Sequence, residues 1–136
     1  MEIKEISAPE TWPLRHKVMW PNKPVDFVVL QNDDEGLHYG LFENKILVSV
    51  ISLFIDSSIG QFRKFATDNY FQGRGYGTKL LKYLLEEAKR RNVKSLRCNA
   101  RMTAIEFYQG FGMKVASDVV RKNGKNYVMM ELDFEQ

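Results

Sequence analysis

At 136 residues the chain has the length of one ordinary domain, and its 44% hydrophobic content suffices for one core. A charged fraction of 27%, with nine Phe, six Tyr and two Trp, excludes intrinsic disorder. The net charge of +3 suits an anionic ligand without singling one out, and the lone cysteine, Cys98, excludes an intrachain disulfide and a thiolate metal cluster.

No apolar leader follows a basic start, and no run approaches the roughly eighteen apolar residues of a membrane span, so a cytoplasmic protein that makes no membrane contact is expected. Repeats, low-complexity tracts and linkers are absent, which predicts one domain over residues 1–136. In the opening segment Ile3 and Ile6 alternate loosely with charged residues. Pro9 to Met19 reads as a short helix that Pro21 and Pro24 end, since proline lacks the amide proton a helix needs. Leu37 to Phe42 and Lys45 to Ile55 read as strands joined by Glu43-Asn44, a connection of hairpin length. A third run, Ile59 to Thr67, follows the polar break at Asp56 to Ser58 and completes an antiparallel meander.

The clearest helix covers Gly75 to Arg91, where Leu80, Leu81, Leu84, Leu85 and Ala88 form one apolar stripe. Its other face carries Lys82, Glu86, Glu87, Arg90 and Arg91 and reads as solvent-facing, with opposite charges four apart at Lys82/Glu86, Glu86/Arg90 and Glu87/Arg91. Val93 to Ala100 reads as a buried strand with Leu96, Cys98 and Ala100 on one side. Thr103 and Glu106 have the spacing of a capping box for a second helix ending near Gly110 to Gly112. Met113 to Val120 and Asn126 to Phe134 read as two further strands around the turn Lys122-Asn123-Gly124. The fold class expected is α/β (α+β): a mixed, mostly antiparallel sheet flanked by helices.

Between the third strand and the long helix lies Gln72-Gly73-Arg74-Gly75-Tyr76-Gly77-Thr78. Glycine-dense backbone at a helix start, where the first amides have no partners within the helix, can cradle an anion. The order Gly77-Thr78-Lys79 does not fit a P-loop, and the run lacks the third glycine and downstream acid of a dinucleotide fingerprint. Gln72-x-x-Gly75-x-Gly77 resembles instead the Gln/Arg-x-x-Gly-x-Gly/Ala signature of the GNAT superfamily of acetyltransferases. Downstream, Ala104-Ile105-Glu106-Phe107-Tyr108-Gln109-Gly110-Phe111-Gly112-Met113 is similar to that family's Ala-x-x-Phe-Tyr-x-x-x-Gly-Phe helix, with Met113 in place of the usual Phe. The resemblance is strongest over Phe62 to Val115. Leu14-Arg15 through Trp20-Pro21, with Leu37-His38-Tyr39-Gly40, is similar to a bacterial subgroup of unassigned substrates.

This resemblance implies a GNAT-like fold and acetyl-CoA as cosubstrate, with no metal. It implies that Phe65, Ala66 and Thr67 lie along the pantetheine arm, and that Gln72, Gly73, Arg74, Gly75, Tyr76, Gly77 and Thr78 hold the pyrophosphate. Asn99 would lie near the cofactor, with Ala104, Phe107 and Tyr108 flanking its far end, and a backbone amide of the strand would polarise the thioester carbonyl. Ala104 and Tyr108, four apart, share a helix face. A phenol with a reference pKa of about 10 keeps its proton at neutral pH, which makes Tyr108 the general acid for the thiolate leaving group.

The resemblance further implies a primary amine as acceptor, small-molecule or protein-borne, attacking directly without an acyl-enzyme. An ammonium cannot attack, so a base is needed, and His38, Asp68, the group Asp33, Asp34 and Glu35, or ordered water are the candidates. Asp26 and the Asp33 to Glu35 group could equally attract a cationic acceptor. A silent CoA-binding module is the first rival reading. Nucleic-acid binding, suggested by Arg63, Lys64 and the basic helix end, ranks below it. Paired protomers are frequent among proteins of this kind, so a homodimer is also expected.

Overall fold

The computed structural model describes residues 1–134; residues 135 and 136, the end of the expected domain, lie outside the described residues. Strands β1 (Glu2–Ile6), β2 (Leu37–Glu43), β3 (Ile46–Asp56), β4 (Ile59–Thr67), β5 (Ser95–Arg101), β6 (Lys114–Val115), β7 (Val120–Lys122) and β8 (Lys125–Asp133) share one sheet. Their order is β1-β2-β3-β4-β5-β8-β6, with β7 also on β8. The mixed, mostly antiparallel sheet flanked by helices is the fold class the sequence predicts.

Turn chemistry sets the meander. Asn44 and Lys45 take φ of 50° and 67°, the left-handed pair a two-residue hairpin requires, so the turn lies one residue beyond the expected Glu43-Asn44. Between β7 and β8 the left-handed residues are Asn123 and Gly124. The opening segment, whose alternation is weak, becomes edge strand β1 because its backbone pairs with β2 from Glu2↔Phe42 to Ile6↔His38.

Two irregularities open the middle of the sheet. β4 and β5 pair in parallel from Ile59↔Ser95 to Gln61↔Arg97, and the pairing stops there although β4 continues to Thr67 and β5 to Arg101. The edge of β4 that faces β5 is therefore unpaired beyond Gln61. Against β3, the register jumps from Val50↔Ala66 to Ser52↔Arg63, leaving Lys64 and Phe65 opposite Ile51. Lys64, at φ 56°, is the left-handed residue of this bulge, which no periodicity in the sequence signals.

Helix α2 (Tyr76–Arg90) covers one face of the sheet. Its stripe Leu80, Leu81, Leu84, Leu85 and Ala88 is buried against Val48, Ile51, Leu53, Phe62 and Leu96; each fully buried Leu contributes about 1.5–3 kcal/mol. Asn92, at φ 65°, stops the helix. The charged face is not wholly solvated, for Glu87 is buried and holds Arg90 and Arg91. Glu86 pairs with Lys89 at 3.6 Å, and the expected Lys82/Glu86 and Glu86/Arg90 pairs do not form among the described residues.

On the opposite face α1 (Ala8–Leu14), continued by a π-turn over Arg15–Met19, packs Leu14 with Ile6, Val50 and Ala66. Helix α3 is shorter than expected, Ile105–Gln109, and starts from Ala104 with no side-chain cap, so the Thr103/Glu106 box does not form. The run after Met113 yields only the short β6 and β7, because Ser117 leaves the ladder and its hydroxyl accepts from the Met129 amide at 2.8 Å. No helix among the described residues is long and apolar enough to cross a membrane.

Candidate active site

The glycine turn joins β4 to α2 at the end where β4 is unpaired. Gln72 braces it, donating through Nε2 to the Thr67 carbonyl at 2.9 Å and to Asn69 Oδ1 at 3.0 Å. Gly73 and Gly75 take φ of 76° and 84°, and a Cβ built on either meets nothing within 4 Å, so the space above the turn is open. Gly75 is the N-cap of α2 and has no side chain to satisfy the first amides; the first bond within the helix runs from the Lys79 amide to the Gly75 carbonyl at 3.1 Å. The amides of Tyr76, Gly77 and Thr78 thus stand where an anion would meet them.

Each remaining turn residue has a distinct local role. The Arg74 guanidinium stacks on Tyr70 at 4.9 Å and Phe71 at 5.5 Å. The Tyr76 hydroxyl donates to Glu43 at 2.9 Å, tying the turn to the β2–β3 hairpin. Gly77 packs on β4, where an added Cβ would lie 3.4 Å from the Phe65 ring and from Thr67 Oγ1.

At the split, aromatic rings bridge from β4 to α3. Phe62 lies 6.5 Å from Phe65 and 5.7 Å from Tyr108, and Phe65 lies 6.2 Å from Phe107. Tyr108 is half-buried, and its hydroxyl makes no hydrogen bond among the described residues. Burial, with a smaller contribution from the neighbouring Cys98, pushes its pKa above the ordinary phenol value. Burial also pushes the Cys98 thiol up to about 12. Ala104, at the foot of α3, and Asn99, exposed on β5, complete the surroundings.

Phe62 also lines a cavity of about 590 Å³ on the α1 side of the sheet. Its floor carries Arg63 and Lys64 from β4 and Asn99 from β5; Trp20 and Phe27 form one wall and Lys122 stands on the other. Arg63 and Lys64, which in the sequence suggest only nucleic-acid binding, thus belong to a cavity. Among the described residues neither Asp, Glu nor His lines it.

The candidate bases are tied up elsewhere. Asp33 accepts from Arg15 at 2.8 and 2.9 Å, from the Trp12 indole at 3.0 Å and from the Leu30 amide at 3.0 Å. His38 is buried; its Nε2 donates to the Asp33 carbonyl at 2.8 Å and its Nδ1 meets Ser52 Oγ at 2.7 Å. Asp68 caps Tyr70 and pairs with Lys17 at 2.9 Å. Asp34, Glu35 and Asp26 are exposed and do not line the cavity.

A glycine turn with open space above it, a half-opened parallel strand pair and a phenol at the opening thus come together as one candidate site. The acetyltransferase (GNAT) domain model matches residues 24–134. The N-acetyltransferase YitI of Bacillus subtilis, itself uncharacterized, is 25% identical over 123 residues, covering 84% of this chain and 83% of that one. A crystal structure from Lactobacillus plantarum, provisionally assigned as an N-acetyltransferase, has a TM-score of 0.86 at 22% identity and covers 98% of this chain and 99% of its own. A GNAT acetyltransferase from Elizabethkingia anophelis with acetyl-CoA bound has a TM-score of 0.79 at 19% identity, with 98% and 97% covered. At such identities the structural likenesses concern the fold. The chain belongs to the GNAT acetyltransferase family. It is an N-acetyltransferase.

Proposed function

We propose that this chain, as one domain over residues 1–136 acting in the cytoplasm, moves an acetyl group from acetyl-CoA to a primary amine by direct attack within a ternary complex, with Tyr108 as general acid. The observation that carries this reading is the Tyr108 hydroxyl: unpartnered among the described residues, at the split, with its ring against Phe62, which also lines the acceptor-sized cavity. Acetyl-CoA supplies an activated thioester. Phe65, Ala66 and Thr67 offer the unpaired β4 edge to its pantetheine arm; Gln72, Gly73, Arg74, Gly75, Tyr76, Gly77 and Thr78 hold its pyrophosphate; Asn99, Ala104 and Phe107 enclose its reactive end.

The amine enters from the cavity and attacks the carbonyl, which backbone amides of β4 near the bulge polarise. Its proton leaves through water, since among the described residues no carboxylate or imidazole lines the cavity. Tyr108, kept protonated by burial, gives its proton to the departing thiolate. Cys98 takes no part, since its buried thiol is un-ionised at neutral pH.

Replacing Tyr108 with Phe tests the assignment. Acetyl-CoA affinity by calorimetry should stay within about twofold, while kcat should fall by about 10² to 10⁴, the usual range for general acid–base catalysis. Unchanged kcat would remove Tyr108 from the mechanism, and absence of acetyl-CoA binding by the parent chain would remove the donor.

A further inference from the structure

Several cations of this fold are held in ion pairs. Arg15 pairs with Asp33, Lys17 with Asp68, Arg90 and Arg91 with Glu87, and Arg97 with Glu131. Arg63, Lys64 and Lys122 stand out by being gathered in one place: all three line the same cavity, and none makes an ion pair or side-chain hydrogen bond among the described residues. Asp33, the carboxylate that acts on Arg63 and Lys64, is already held in a two-pronged pair by Arg15. Arg63, Arg15 and Lys122 all act on Lys64, so the Lys64 charge is repelled from several sides within the cavity. Such an arrangement raises the free energy of the empty site, and an anion in its centre relieves it.

The walls point the same way. Trp20 and Phe27 meet edge to face at 5.1 Å on one side. Lys125 from β8 lies 3.9 Å from the Trp20 ring, linking the β7–β8 hairpin to that wall. A polyamine or a lysine-rich protein segment would bring further positive charge into this ring. An amine with a carboxylate on a small apolar body would instead match both the cations and the aromatic wall.

We infer that the acceptor of this N-acetyltransferase is a small amine that also bears a carboxylate, held by Arg63, Lys64 and Lys122 while its apolar body lies on Trp20 and Phe27. This rests on the acetyl-transfer reading above and names its substrate class; it replaces the expectation that Asp26 and Asp33 to Glu35 attract a cationic amine. The bulge at Lys64 is what turns that lysine into the cavity beside Arg63 in place of the alternation of a regular strand.

Matched amines with and without the carboxylate test the inference: phenylalanine against phenethylamine, tyrosine against tyramine, with spermidine as the polycation and phosphoethanolamine against ethanolamine to separate carboxylate from phosphate. Each is titrated into the CoA-saturated chain and assayed with acetyl-CoA. The carboxylate members should be favoured by about tenfold or more in Kd and in kcat/KM, and Lys122→Glu, an exposed position, should cut that ratio several-fold through KM while acetyl-CoA affinity is kept. A preference for the members without a carboxylate or for the polycation, failure of every carboxylate member to bind, or a ratio that Lys122→Glu leaves unchanged would overturn the inference. Preference for phosphoethanolamine alone would overturn the carboxylate assignment. Failure of the parent chain to bind acetyl-CoA would instead overturn the transfer reading on which the inference rests.

Discussion

Lys64 carries the clearest pH signature at the scale of single residues. Burial, then Arg63, Arg15 and Lys122, disfavour its charge, with Asp33 opposing, and its pKa falls to about 8. That is below the ordinary lysine value, so stability is full above the unfolded pKa and declines as the pH drops toward about 8, a loss that a bound anion offsets. The same titration governs the acceptor. KM for a carboxylate-bearing amine should rise as the pH passes upward through about 8, and Lys64→Gln should abolish that inflection in a pH series of KM while leaving the trend for amines without a carboxylate intact. Cys98→Ala is the complementary control: it should cost about 1 kcal/mol of stability by urea unfolding and leave kcat unchanged. The turn and the Tyr108 helix were legible in the sequence because each is a local run of residues. The cationic cavity was not, since Arg63, Lys122 and Trp20 come from three distant segments that only the folded sheet brings together.

Two glycines separate binding from packing at the scale of the β4–α2 element. Gly75 sits at φ 84° under open space, so an added side chain strains the backbone and projects where a phosphate would lie. Gly77 has ordinary φ, and a Cβ there meets Phe65 and Thr67 at 3.4 Å, near ordinary contact. Gly75→Asp should therefore weaken acetyl-CoA binding by about a hundredfold or more, whereas Gly77→Ala should bind within about threefold of the parent, both read by calorimetry. Undiminished affinity in Gly75→Asp would move the pyrophosphate elsewhere. Long elements with strong periodicity, α2 and the three-strand meander, were readable almost to the residue. β1, the bulge at Lys64 and the uncapped start of α3 were not, because pairing partners and ring packing rather than local propensity decide them.

The N-terminal third of the molecule is fastened to the sheet by one buried polar network. Arg15, with no exposed surface, donates to the Val28 carbonyl, to both Asp33 oxygens and to Ser52 on β3, while His38 on β2 links Ser52 to the Asp33 backbone. Burial alone would raise the Asp33 carboxyl, but the hydrogen bonds from Arg15, Leu30 and Trp12 outweigh it and hold its pKa below the ordinary value. Its contribution to stability is thus complete above the ordinary carboxyl pKa of about 4 and disappears as the pH falls through the lower folded value. Removing one partner leaves the other charge buried and alone: Arg15→Met should cost about 3–5 kcal/mol at neutral pH, a large share of the roughly 5–15 kcal/mol that holds a domain together. The double variant Arg15→Met/Asp33→Leu should recover much of that loss, since an apolar pair of similar volume no longer strands a charge. The segment so fastened carries Phe27 and Leu30 of the cavity wall, whereas the glycine turn hangs from the far end of β4. In conditions where Arg15→Met remains folded, acceptor KM should therefore rise several-fold while acetyl-CoA affinity holds, and an equal loss of both would show that the network braces the whole sheet and not the acceptor wall alone.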